Sequence, residues 1–221
     1  MDKKTIIYGL VAMVAIAGIV WYAGQNEEVS EQMASLVGVK TQNEEQEKEG
    51  TSSDFQDLVM GSSEAPVTMI EYSSHFCGHC VNFHKSTFPL IVDKYVKTGK
   101  LKIIPRILGA QEMGKAVLCA EEQGNFSDFN EYLFEHISEA QSFDDVKKMA
   151  GQVGLNEQAF SECVDSEKYA EWVQSWYTQA QEIGITGTPT FLIGDQQIVG
   201  NQPYSVFELA IEAELAKVET D

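Results

Sequence analysis

The stretch EYSSHFCGHCVNFH, residues 71–84, sets Cys77 and Cys80 two residues apart, with His79 between them and His75 and His84 just outside. Two chemistries use such a set. The cysteines form a redox dithiol, or they join His75 and His84 as four local ligands for a metal ion. A structural zinc site ordinarily adds a second CxxC pair or a distant HxxxH downstream, and neither follows here. A c-type haem attachment needs histidine directly after the second cysteine, where this chain has Val81.

The neighbouring sequence gives the redox reading a physical basis. VTMIEY, residues 67–72, follows Pro66 and is apolar on both alternating faces apart from Glu71, as expected of a strand inside a covered sheet. A helix then starts near Cys77, so that this thiol lies at a helix N-terminus, where unpaired N–H groups and the macrodipole favour a thiolate. A stabilised thiolate leaves readily and stabilises the reduced state, which makes the disulfide more oxidising. Cys80, one turn on, is the more buried, resolving thiol, and His79 adds positive charge beside Cys77. His75 and His84 are open to two readings, as ordinary surface or groove residues or as further active-site groups.

Outward from this centre, the apolar positions Val81, Phe83, Phe88, Ile91, Val92 and Tyr95 continue a helical pattern that Pro89 interrupts and Gly99 ends. LKIIPRI, residues 101–107, reads as a second buried strand. Residues 111–184 are helical throughout, with stripes at Met113, Ala116, Val117 and Ala120, at Phe126, Phe129, Leu133 and Ile137, and at Trp172, Trp176 and Ala180. The tryptophan stripe reads as core packing rather than a binding groove. TPTFLIG and QQIVG, turning around Asp195, predict a β-hairpin, and a last helix runs from Tyr204 to Val218. The order is that of an α/β, thioredoxin-like fold with an inserted helical subdomain at about residues 110–184.

Before this domain, Lys3 and Lys4 precede an uncharged apolar run from Thr5 to Gly24. About 20 helical residues span roughly 30 Å, the thickness of a bilayer core, so residues 1–24 read as a transmembrane signal anchor in contact with lipid through residues 5–24. The rival is a cleaved signal peptide ending at Ala15-Ile16-Ala17, against which stand Trp21 and Tyr22, residues suited to a membrane interface. The basic flank places the N-terminus in the cytoplasm and the rest outside it, where disulfides persist. Residues 25–53, rich in Glu, Gln, Asn and Ser, read as a flexible acidic tether, within which Val29, Met33, Leu36 and Val37 have amphipathic helical spacing. The domain proper is expected over 54–221. A formal charge of -19 and a pI near 4.5 exclude a nucleic-acid partner, since phosphate backbones are held by clustered basic side chains.

IEYSSHFCGHC resembles the active-site segment of the DsbA family of thiol:disulfide oxidoreductases, and GITGTPTFLI, residues 184–193, resembles that family's cis-proline loop. The likeness runs from about Phe55 to Val218, through FHKSTFPLIVDKYVKTGKLKI and AVLCAEEQGNF. It implies that Cys77 is the nucleophile, Cys80 its partner and Glu71 a buried acid that helps move the Cys80 proton. It further implies that Pro189 is cis, that Thr188 hydrogen-bonds an extended substrate, and that no cofactor or metal is needed. The implied partners are reduced or misoxidised extracytoplasmic proteins and a membrane redox partner that recycles the active site. Gly78-His79 departs from the Pro-His of the family's strong oxidants and matches protein disulfide isomerase, which leaves oxidase, isomerase and reductase directions open. Cys119 and Cys163 remain; an oxidising compartment and an even cysteine count point to a structural disulfide, with free buried thiols as the alternative.

Overall fold

The computed structural model describes residues 57–218. The expected anchor at 1–24, the tether at 25–53 and the amphipathic segment at 29–37 lie outside the described residues. Among the described residues, no helix is long and apolar enough to cross a membrane.

The strand β1 (Val67–Ser73) holds the centre of the sheet, because its near-continuous apolar sequence suits neighbours on both sides. It pairs in parallel with β2 (Leu101–Ile107), Val67 opposite Leu101 and Ser73 opposite Ile107. It pairs antiparallel with β3 (Thr190–Ile193), which sets Glu71 opposite Phe191. The hairpin partner β4 (Gln196–Val199) completes the order β2-β1-β3-β4. β2 therefore lies at one side of the sheet, bridged beyond only by Met60 to Ile103, and there Pro105 is tolerated without a central ladder bond.

After β1 the chain enters α1 (Gly78–Ser86), breaks at Thr87, and resumes as α2 (Phe88–Ile91) with Pro89 in its first turn. A proline there removes an N–H that a first turn leaves unpaired in any case, so the predicted interruption falls just ahead of Pro89 rather than at it. One π-helical turn, Val92–Val96, follows, and Gly99 reverses the chain at a φ of 73°. The long helical block divides into α3 (Gln111–Glu121), α4 (Phe126–His136), a 3-10 turn (Ile137–Glu139), α5 (Phe143–Gln152), α6 (Glu157–Asp165) and α7 (Ala170–Glu182). Two of the starts are capped: Ser142 and Asp145 form a capping box on α5, and the Asn156 side chain accepts the Ala159 N–H on α6. The chain ends with α8 (Tyr204–Val218), packed on α2, β1 and β3.

All positions of the first two predicted stripes are buried, and of the third Trp176 and Ala180 are. Trp176 takes the Arg106 guanidinium over its ring at 5.6 Å, which is core packing. A Cβ on Gly114 would meet Val173 at 2.7 Å, so a glycine at 114 lets α3 and α7 approach closely. α3 and α7 pack on β2, while α4 packs on α1. Phe83 of α1 meets Phe191 of β3 at 4.4 Å and Phe207 of α8 at 5.2 Å, an aromatic cluster that ties α1 to the sheet and the last helix.

Cys119 of α3 and Cys163 of α6 are joined as a disulfide, with Cα atoms 5.9 Å apart and a sequence separation of 44. Closing a loop of that length contributes at most about 4 kcal/mol in the chain-entropy account. Replacing both cysteines by alanine is expected to lower the urea midpoint by an amount within that bound plus the cost of a small cavity at Cys119. An unchanged midpoint would show that the bridge does not hold the insertion together.

Candidate active site

Cys77 is the N-cap of α1, in extended conformation (φ -94°, ψ 116°), and its carbonyl accepts the Val81 N–H at 3.0 Å. No acidic side chain lies in the first turn of α1 to oppose a negative sulfur there. Cys77 is partly exposed and Cys80 fully buried, and both are free thiols. Across from them the Thr188-Pro189 peptide bond is cis, and the Thr188 carbonyl accepts from Cys77 Sγ at 3.3 Å. The two motifs, 111 residues apart in sequence, therefore meet at one point.

The two thiols are tuned in opposite directions. Burial acts to raise the Cys77 pKa, but the Cys80 thiol, Thr188 and the backbone N–H groups of Cys80 and His79 together outweigh it and hold Cys77 below its ordinary value. Burial, helped by the neighbouring Cys77 sulfur, pushes Cys80 well up, against smaller opposing contributions from Ser73, Thr188 and the Ser74 backbone. His79 is exposed, and it acts on Cys77 through its backbone N–H.

Glu71 is only 1% exposed, which rules out a solvated strand end. Its Oε1 lies 2.8 Å from Nε2 of His84, whose Nδ1 faces Glu131 Oε1 of α4 at 3.2 Å. Burial acts to lower the His84 pKa, but Glu71 first and then Glu131 raise it to about 9. His75 is also fully buried, its Nε2 2.9 Å from Asn130 Oδ1, and burial drives its pKa down to about 3 despite that hydrogen bond. The reading of His75 and His84 as surface or groove residues is thus corrected, because both are packed under the inserted α4. The metal reading is corrected with it. Both His84 nitrogens face carboxylates, His75 Nε2 faces Asn130, and among the described residues the one cluster with metal-ligand spacing, Cys119, Glu122 and Cys163, contains the disulfide.

Ser73, Asn130 and Glu131 were missed by sequence reasoning. Ser73 carries a readable signal, since it shares the alternating face of β1 with Glu71. Asn130 and Glu131 carry none, because only the docking of α4 on α1 brings them to His75 and His84. Beside Gly78, a cavity of about 390 Å³ is lined by Phe76, Val81, Lys85, Phe134 and Ile137, and Phe76 is 60% exposed.

A thioredoxin family profile matches residues 53–213. The chain belongs to the thioredoxin family. Its likeness to the DsbA family is borne out by the crystal structure of Wolbachia pipientis alpha-DsbA1, with a TM-score of 0.67 at 26% identity over 75% of this chain and 95% of that one. The oxidised BdbD of Bacillus subtilis shares the fold, with a TM-score of 0.66 at 24% identity over 72% of this chain and 93% of that one. Among sequences, Disulfide bond formation protein D of Bacillus subtilis is 27% identical, over 71% of this chain and 76% of its own length. A Rickettsia typhi relative, whose name includes the words protein-disulfide oxidoreductase, is 26% identical over 65% of this chain. The chain spans only 57% of that relative's length.

The opposed tuning of the thiols predicts that, in the fully reduced protein, iodoacetamide labels Cys77 with a pH midpoint below the roughly 8.5 of a free cysteine, while Cys80 stays protected. Thr188→Val, which removes a hydroxyl that favours the thiolate, should move the Cys77 midpoint upward. Labelling of the two thiols at equal rates would contradict the assignment of Cys77 as nucleophile.

Proposed function

We propose that the chain is an extracytoplasmic, membrane-tethered protein-disulfide oxidoreductase that exchanges the Cys77–Cys80 disulfide with the thiols of folding proteins, working chiefly as an oxidase. The observation that carries this reading is the asymmetry of the pair: a partly exposed, thiolate-favouring Cys77 against a cis-proline loop, with a buried, proton-holding Cys80 behind it. A substrate thiolate attacks Cys77 Sγ, a bond forms between those sulfurs, and the Cys77–Cys80 bond breaks with its electron pair going to Cys80, which takes up a proton. A second substrate thiolate then attacks the substrate sulfur and expels Cys77 as a thiolate. Two electrons have passed from substrate to protein, and the substrate leaves with a disulfide. Thr188, beside the reacting sulfur, aligns an extended substrate backbone, and a membrane redox partner accepts the two electrons in turn.

The oxidase direction follows from the stabilised Cys77 thiolate, which favours the reduced enzyme and so makes its disulfide the stronger oxidant. Gly78-His79 bears on the same quantity. Reference potentials lie near -120 mV for DsbA and about -180 mV for protein disulfide isomerase. The uncharged run at residues 5–24, behind Lys3 and Lys4, supports an anchored protein with its domain outside the cytoplasm.

Graded reduction with alkylation and mass spectrometry is expected to show Cys77 and Cys80 reducing together, before Cys119 and Cys163. The oxidised full chain should form disulfides in a reduced test protein, and the lone Cys77 thiol of Cys80→Ala, given a substrate that carries a disulfide, should attack it and hold the mixed disulfide. A chain that rearranges scrambled disulfides but does not oxidise reduced substrate would reassign it as an isomerase. For the anchor, the full chain should stay with membranes after alkaline washing and be released by removal of residues 1–24; release of the full chain would refute the anchor.

A further inference from the structure

His84 is enclosed by two aromatic rings and two carboxylates. Its ring stacks on Phe134 at 3.5 Å with the planes 8° apart and lies 4.5 Å from Phe88, while its two nitrogens face Glu71 and Glu131. Glu71 and His84 are shut off from solvent, whereas the Glu131 side chain is 31% exposed.

Register places this cluster under the resolving thiol. Cys80 and His84 are four residues apart on one face of α1, about 6 Å along its axis. Ser73 and Glu71 are two apart on one face of β1, roughly 6.6 Å along the strand. Ser73 acts on Cys80 while Glu71 binds His84, so the two pairs stack one above the other. Glu71 is thus one step along the same strand face from the residue that acts on Cys80. Ser73 Oγ, buried and without a conventional hydrogen-bond partner among the described residues, stands at that step.

We propose that His84 is a positioning residue for the closing half of the exchange. Gripped between Glu71 and Glu131, it fixes the Glu71 carboxylate one strand step from Ser73, on the side of the helix that carries Cys80, where it can take that thiol's proton. The inference rests on the exchange reading above. In the step concerned, Cys77 is bonded to an outside sulfur. The Cys80 S–H bond breaks and its proton passes by way of the Ser73 hydroxyl to Glu71; Cys80 Sγ bonds to Cys77 Sγ; the bond to the outside sulfur breaks, and that sulfur leaves as a thiolate. In reverse, the expelled Cys80 recovers its proton from Glu71.

The groups facing His84 are Glu71 from β1, Glu131 from α4 with Glu135 acting on it from the same helix, and His75 from the segment before α1, with Cys80 on its own helix. The raised His84 value means that the imidazolium is present at neutral pH and is lost as pH rises through about 9. Glu131→Gln removes one of the charges that raise it, so the loss should come at lower pH.

The test uses the reduced full chain with oxidised glutathione, following by rapid acid quench and mass spectrometry the attack of Cys77 on glutathione and then the closing by Cys80. His84→Gln is expected to slow closing about ten-fold, less than the ~10²-fold typical of losing an acid–base group itself, with attack within about two-fold of wild type. Glu131→Gln is expected to move the alkaline fall in closing to lower pH, in step with the NMR titration of the His84 ring. Unchanged closing in His84→Gln, or equal slowing of both steps, would overturn the proposal. If that variant fails to fold, Glu131→Gln decides, and an unmoved profile overturns it. A wild-type chain that does not exchange with glutathione at all would instead overturn the exchange reading, while a His84 ring titrating near its ordinary value would overturn the clamp alone.

Discussion

The seating of α1 on the end of β1 is the constraint from which the rest follows. Cys80 and Phe83 point into the core from this helix, and Phe83 is gripped by Phe191 and Phe207 from the last strand pair and the last helix, more than 100 residues on in the sequence. With the helix so fixed, its N-terminus cannot withdraw from the cis-proline loop, and Cys77 stays where unpaired backbone N–H groups favour a negative sulfur. One turn further in, the same helix face carries Cys80 into a region where the charged form is penalised. The chemical difference between two identical side chains is therefore a difference in depth along one helix.

The same seating places charge in the core. Burying a carboxylate and an imidazole is costly unless they are paired, and Glu71 and His84 are paired at 2.8 Å with a second carboxylate on the far nitrogen. α4, part of the insertion, supplies Glu131 and also Phe134 and Asn130, which cover His84 and His75. The insertion is thus more than a peripheral addition to a thioredoxin-like sheet, because it closes one side of the active-site helix. The Cys119–Cys163 bridge ties α3 to α6 within that insertion.

Much of the fold was legible in the sequence. β1 was readable from its apolar run, α8 from its period, the hairpin from the turn at Asp195, and the insertion from its stripes. The starts of α5 and α6 were written in Ser142 and Asn156 but are obscured by continuous helical periodicity. At the site, spacing alone marks Cys77 and Cys80, and the Thr-Pro dipeptide marks the loop that faces them. The same local spacing suggested a four-ligand metal set, and that reading failed because neighbours in sequence need not converge. His75 and His84 turn under α4 to meet Asn130 and Glu131 instead of the thiols.

The sequence by itself singled out Cys77 and Cys80, since a cysteine pair at a helix start offers two sulfurs within bonding reach and a dipole that favours a thiolate on one of them. It also determined the central strand, because a run without polar alternation is stable only where both faces are covered. Tertiary structure alone decided how the two thiols differ and what meets Glu71 and His84 in the core. Those properties depend on burial and on distances of a few ångströms between β1, α1, α4 and the Thr188-Pro189 loop, and no local pattern encodes distances between segments that meet only when the chain is packed.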